Sequence, residues 1–364
     1  MRLLIGIIIL SGIFFYNRYD SVDMFYPAQY ALFVAIAGML ISYLIFKKSK
    51  WMGILFAICS IGFLKTYLLQ HAPVEYLFKV TLFSYSAFLI YYFARQLELK
   101  EDILKWFLIP ACLNIALILI QKFDHNFLSF IPLMDRTQIT GFLGNRSITA
   151  CYLAMTMPLF IKHLKWGIPF LLLALFCSSL FAFIICVIIM AFYFSKINPK
   201  LTMRLYLGVF TLALSCGIVF EGKVVQSLNI RASETSGVLD GIKHNPILGW
   251  GVGSFEPIMI KVAERSKENY FGRRLSATNE VLGHPHNELL QAWWNYGIAF
   301  PVIVIIYALS LLRLYAPKKL ILYSILLTGA LCSIGDFLSP PAWILLLLTL
   351  GIYENQENKE VISV

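Results

Sequence analysis

Apolar residues dominate this chain in long blocks broken by short polar joints, and one long polar stretch interrupts them. A membrane-crossing helix takes about 17 to 25 mostly apolar residues. On that ruler the pattern predicts about twelve spans, near 3–16, 28–46, 51–69, 76–94, 103–121, 148–163, 166–177, 180–195, 201–220, 288–312, 319–335 and 341–353. The run from Trp166 to Ser195 is long enough for one tilted helix or two short ones parted near Ser178–Ser179.

The basic residues decide between those two. Lys and Arg gather in short cytoplasmic loops of membrane proteins. With the run divided in two, one side holds Arg2, Lys47, Lys48, Lys50, Arg95, Lys100, Lys105, Lys162, Lys165, Lys196, Lys200, Arg204, Arg313, Lys318, Lys319 and Lys359. The opposite short loops hold only Arg18, Lys122, Arg136 and Arg146. An undivided helix would move Arg313, Lys318 and Lys319 outside, so two helices are expected. Both termini are then cytoplasmic, the first span is retained rather than cleaved, and the polar stretch 221–287 lies outside, between spans nine and ten.

Composition agrees. Hydrophobic residues make up 59% and charged residues 14%, against about 25% charged in soluble domains. The net charge of +10 therefore reads as loop bias that sets topology rather than as a nucleic-acid surface. Seven cysteines lie in or beside apolar segments and none in the polar loop, which argues against a disulfide framework. The expected architecture is an all-α polytopic membrane domain over 1–364, with a helical external loop at 221–287 and a short cytoplasmic tail at 354–364.

An irregular connection this long is rare in a compact protein, so the loop is expected to carry helices and function. Ser233 and Ser236 ahead of Val238, Leu239 and Ile242 predict a short capped helix ending near Asn245–Pro246. Phe255 to Tyr270 places Phe255, Ile258, Met259, Val262 and Ala263 at helical spacing, an amphipathic pattern suited to the bilayer surface or to the roof of a cavity.

Three polar stretches carry candidate chemistry. His284-Pro285-His286-Asn287-Glu288-Leu289-Leu290-Gln291 runs from the loop into an apolar helix. Two histidines one residue apart, with Glu288 as a third, are spaced like metal ligands, but a catalytic zinc takes three protein ligands and the loop's only other His or Cys is His244. A histidine at the outer mouth of a helical bundle suits a general base. Asn287 suits an N-cap for the helix beginning at Glu288, with Pro285 stiffening the approach. The second stretch is Pro246-Ile247-Leu248-Gly249-Trp250-Gly251-Val252-Gly253-Ser254-Phe255. Its alternate glycines fit close phosphate approach or a tight turn equally. The third, Gly141-Phe142-Leu143-Gly144-Asn145-Arg146-Ser147, runs into a span and sets an Arg at its entrance, an interfacial anchor or a partner for an anionic head group. Lys65 and Lys79 fall near the outer ends of their spans, where they snorkel or line an anionic pocket.

In order, Gly141-Phe142 to Asn145 with Tyr152-Leu153 and Pro158, Arg231 ahead of Pro246-x-x-Gly249-x-Gly251-x-Gly253-x-Phe255, and His286-Asn287-x-x-Leu290-Gln291 leading to Gly297 resemble the O-antigen ligase and polymerase superfamily. They are also similar to bacterial protein O-oligosaccharyltransferases. The likeness covers about 140 to 300; elsewhere only hydropathy and span number agree. It implies a GT-C-like enzyme of the bacterial inner membrane, active on the periplasmic side. Such an enzyme moves a glycan from undecaprenyl pyrophosphate to lipid A core, to a growing glycan or to protein, with no metal and no cofactor. By resemblance His286 activates the acceptor hydroxyl and Arg231 holds the pyrophosphate. One departure stands out: many relatives carry an Arg between the seventh and eighth spans, where this chain has Cys177-Ser178-Ser179-Leu180. Arg146, Arg136, Lys65 and Lys79 are the candidates to supply that charge. The chemistry is coherent on its own terms, because pyrophosphate leaves readily, arginine forks suit its oxygens and histidine suits the proton. A transporter for a lipid-linked sugar is the rival reading, but half-to-half similarity and midplane polar residues are not visible.

Overall fold

The computed structural model describes residues 90–92, 94–95, 99–123, 141–143, 146–195, 229, 232–251, 254–265, 276, 287–313, 320–335 and 340–362. The expected spans 3–16, 28–46, 51–69 and 201–220, and nearly all of 76–94, lie outside them. All regular structure among the described residues is helical. The chain divides into two compact units. One comprises Met1–Phe46, Ser86–Val209 and Tyr315–Val364; the other comprises Lys47–Tyr85 and Phe210–Leu314.

In the first unit a 3-10 segment, Glu101–Phe107, leads into α1, Leu108–Phe123. Then come α2 (Arg146–His163), α3 (Ile168–Ser178), α4 (Leu180–Ser195), α9 (Leu320–Gly335) and α10 (Pro340–Ile362). The second unit contributes α5 (232–243), α6 (Phe255–Arg265), α7 (Glu288–Tyr296) and α8 (Ala299–Arg313). Among the described residues one helix, Glu101–Phe123, is long and apolar enough by itself to cross a bilayer, and four shorter apolar helices accompany it.

The centre of the first unit is α2. Every residue from Thr149 to Ile161 is buried, and α1, α3, α4 and α9 pack around it. Its threonines, alanines and Tyr152 are small or hydrogen-bonded: Tyr152 Oη donates to Phe107 O at 3.2 Å and Thr156 Oγ1 to Leu153 O at 2.7 Å. Around it the usual inside-outside order is reversed. Asn114, Gln121, Ser324, Thr328 and Thr349 are buried, while Ile109, Leu113 and Ile120 on α1, Phe170 and Leu173 on α3 and Ile184 and Ile188 on α4 are exposed. The exposed residues fall three, four or seven apart, as one helix face requires. Apolar stripes facing out and hydrogen-bonded polar groups facing in suit a lipid solvent.

Trp166 to Ser195 is two helices. Ser179 is extended (φ −151°, ψ 113°) and ends α3. Phe176 and Phe183 then meet edge-on at 5.7 Å, closer than two turns of continuous helix, about 10.5 Å, would allow. Several helix ends are joined by side-chain contacts. Lys162 Nζ at the end of α2 meets Glu101 Oε1 at 2.7 Å, and Phe192 near the end of α4 stacks on Tyr323 near the start of α9 at 5.5 Å. Glu354 accepts from Tyr91 Oη and pairs with Arg95 at 3.4 Å.

Three expectations change. The span at 288–312 is broken, because Gly297 (φ 78°) ends α7 before α8 begins at Ala299. The last helix continues through the expected tail to Ile362. The loop helices are described at 232–243 and Phe255–Arg265, with Asn229 also helical, so Ser233 lies within helix rather than ahead of it.

Candidate functional site

In the second unit, α5, α6 and α7 share one small core. Val238 and Ile242 from α5, Phe255, Ile258, Met259 and Ala263 from α6, and Trp294 from α7 are buried together. The apolar face of α6, which could have lain on a bilayer, is thus covered by its own neighbours, while Lys261 and Glu264 face out. Trp294 is the hub. Its indole Nε1 donates to Ser254 Oγ at 3.0 Å, its ring meets Phe255 at 4.8 Å, and Gly241 lies so close that a Cβ there would strike the ring.

Helix α7 is fixed at both ends. At its start Asn287 is extended (φ −162°, ψ 116°) and its side chain accepts from Leu290 N at 3.0 Å. This is an N-cap, which satisfies a backbone donor that a helix start leaves unpaired. At its end the helix carbonyls are taken by the glycine-rich turn. Trp250 N donates to Trp294 O at 2.6 Å and Gly251 N to Asn295 O at 3.1 Å, while Ile298 N returns a bond to Pro246 O at 3.0 Å. Two indoles reinforce the junction, Trp250 Nε1 to Gly241 O at 2.9 Å and Trp293 Nε1 to Pro246 O at 2.8 Å.

This decides between the two roles open to the glycines. Gly249 N bonds to Asn245 O, so three successive amides, 249 to 251, are spent inside the protein and are not offered to a phosphate. Gly249 (φ 66°) and Gly251 (φ 97°) adopt left-handed backbone, which glycine takes without steric cost. A Cβ on Gly249 would stand 2.5 Å from Gly297 N and 2.6 Å from Trp294 O. The close approach is backbone to backbone, between turn and helix end. Gly253 lies outside the described residues.

The other candidates are distributed as follows. His286 lies outside the described residues but is covalently next to the Asn287 cap, and Arg231, also outside, adjoins Ala232 of α5, with Asn229 helical two residues before it. Helices α5 and α7 pack in the same core. His284, Asn145, Arg136, Lys65 and Lys79 are likewise outside the described residues. Arg146, in the first unit, is the exposed first residue of α2.

Sequence reasoning overlooked two amides that hold the third stretch. Asn114 Oδ1 accepts from Phe142 N at 2.9 Å and Gln121 Oε1 from Gly141 N at 3.0 Å. Both side chains are buried. Non-helical backbone within a membrane domain is tolerated only where its polar groups are satisfied, and these amides, seven residues apart on one face of α1, do that for the turn before α2. Their signal was visible as two uncharged polar residues in an otherwise apolar span. Gln291, in the first stretch, had no role assigned to it. Its Nε2 donates to Asn295 Oδ1 at 3.0 Å, and its buried Oε1 has no hydrogen-bond partner among the described residues.

Residues 140–305 match the family model described as O-antigen ligase. The match covers 166 of the 364 residues and supports a likeness to the O-antigen ligase superfamily. The matched region takes in the capped helix α7, the glycine-rich turn, the loop helices and α2, so all three motif stretches fall inside the O-antigen ligase region. Proteins of this family are inner-membrane proteins with ligase- or polymerase-type glycosyltransferase activity. No curated protein matches the chain.

Proposed function

We propose that this protein joins a glycan carried on undecaprenyl pyrophosphate to lipid A core on the periplasmic side of the inner membrane. His286 removes the proton from the acceptor hydroxyl, which attacks the anomeric carbon with inversion. Arg231 neutralises the departing pyrophosphate as the sugar–oxygen bond to it breaks. A forked guanidinium suits adjacent phosphate oxygens, and an imidazole suits proton abstraction from a hydroxyl.

The observation that carries this reading is the clamped helix α7. Asn287 fixes the backbone beside His286, and the Pro246–Gly251 turn fixes the far end of the same helix. A general base must be held within hydrogen-bond reach of its proton, and a nine-residue helix capped at both ends is a rigid mount. The chain following Arg231 enters the same core through Val238 and Ile242. Arg146 is the favoured second cation because it stands exposed at a helix start. About twelve spans with cytoplasmic termini complete the picture.

Transfer from a polyprenyl-pyrophosphate glycan should fall about 100-fold or more in His286→Ala, and should fall similarly in Arg231→Ala, in membranes holding normal amounts of protein. Unchanged transfer in either variant removes that residue from the mechanism. The lipopolysaccharide of a deletion strain identifies the acceptor. Core lacking O-chains marks a ligase, core bearing single repeats marks a polymerase, and unaltered lipopolysaccharide points to a protein acceptor.

A further inference from the structure

The tip of the glycine-rich turn carries an exposed apolar surface. Ile247 is 71% exposed and Leu248 63% exposed, two large apolar residues side by side in a segment whose backbone is held on both sides. Pro246 O accepts from Ile298 N and Trp293 Nε1, Trp250 N and Gly251 N donate to helix carbonyls, and Asn245 Nδ2 donates to Gly249 O at 2.6 Å. The turn is held on both sides of the tip while the Ile247 and Leu248 side chains project outward. Apolar side chains held outward by a fixed turn suit the boundary between head groups and acyl chains.

The neighbouring helix gives that depth. The Ile298 N to Pro246 O bond, 3.0 Å, ties the turn to the first residues of α8. Ile298, Val302, Ile305 and Ile306 are exposed on α8, one stripe at helical spacing, and no charged residue occurs from Ala299 to Leu312. Helix α8 has 15 residues and is about 22 Å long at 1.5 Å per residue, whereas the hydrocarbon core is about 30 Å thick. With Arg313 at one boundary, the break at Gly297–Ile298 lies below the other, and the attached turn lies there with it.

We infer that the Pro246–Leu248 turn is an interfacial anchor, with Ile247 and Leu248 inserted among the acyl chains of the outer leaflet as a continuation of the lipid-facing stripe of α8. The occupant of this surface is the bilayer. The anchor sets the height of α7 relative to the lipid head groups, and so the height at which a membrane-borne substrate meets the residue beside Asn287.

A bimane fluorophore on Leu248→Cys, in full-length protein reconstituted into phosphatidylglycerol–phosphatidylethanolamine nanodiscs, tests this, with identically treated wild-type protein as the blank. The expected emission is blue-shifted, is halved or more by lipids brominated about 5–10 Å below the head groups, and is untouched by aqueous iodide. Bimane on Lys243→Cys, on the exposed end of α5, should show the opposite pattern. Quenching at Leu248→Cys by iodide alone would place the tip in water and overturn the inference; protection from both quenchers would mean that protein covers it, and would overturn it equally. If the labelled variant does not fold, the emission difference between Leu248→Trp and wild type under the same quenchers gives the same reading.

Discussion

Gly249→Ala is the sharpest test of the clamp. The residue sits at φ 66°, where an L side chain costs about 1–2 kcal/mol. The new Cβ would lie 2.5 Å from Gly297 N and 2.6 Å from Trp294 O, both backbone atoms, so no side-chain rotation relieves it. Relief requires the turn to withdraw by about 1 Å, which carries Gly251 N to Asn295 O, 3.1 Å at rest, beyond hydrogen-bond range. Losing that bond and its neighbour from Trp250 N adds about 1 kcal/mol each. The junction should therefore weaken by about 3 kcal/mol, roughly a hundredfold in the docked–undocked equilibrium. The assay pairs glycan transfer in membranes with thermal inactivation of the purified protein, and Lys243→Ala, an exposed change within about 0.5 kcal/mol of neutral, serves as the control. Transfer should drop about tenfold or more, with a lower inactivation temperature. Wild-type behaviour in both measurements would refute the clamp as the mount for α7.

The remaining expectations concern caps and buried amides. Asn287→Ala should destabilise α7 by about 1 kcal/mol and slow transfer, whereas Asn287→Asp, a comparable cap favoured by the helix dipole, should retain most turnover; equal loss in both would show that capping is not what matters. Asn114→Leu and Gln121→Leu each deprive a Gly141–Phe142 amide of its partner, at about 1–3 kcal/mol each, seen as lower inactivation temperature and easier proteolysis before α2. Gln291→Met removes a buried carbonyl without a described partner together with the donor to Asn295 Oδ1, and should lower stability by about 1–3 kcal/mol. Gln291→Glu removes that donor but keeps an acceptor oxygen; if KM for the acceptor rises in Gln291→Met and not in Gln291→Glu, the carbonyl contacts substrate.

Legibility varied with the physics of each element. The apolar runs at 103–121, 148–163, 166–177 and 180–195 became helices at nearly those limits, because a long apolar run has few other ways to satisfy its backbone in lipid. Loop-side charge divided Trp166–Ser195 correctly, and Ser179 is where the chain turns back. Hydropathy joined 288–312 because α7 carries Leu289, Leu290, Trp293 and Trp294. Leu290, Trp293 and Trp294 pack inward on α5, α6 and the turn, and composition does not distinguish protein from lipid as the cover.

Local chemistry was likewise read where it is local. Asn287 capping the next three residues needs no distant partner, so the cap followed directly from Asn287-Glu288-Leu289-Leu290. The motif order read from the sequence falls within 140–305, the region that matches the O-antigen ligase model. What only the tertiary structure decided is where backbone approaches backbone. The alternate glycines leave room for a phosphate or for another strand of chain, and the difference lies in a partner some 45 residues away, the end of α7. Asn114 and Gln121 are two amides in a helix until Gly141 and Phe142 arrive beside them. Such contacts depend on the path of the whole chain, whereas spans and caps depend on neighbours within a few turns.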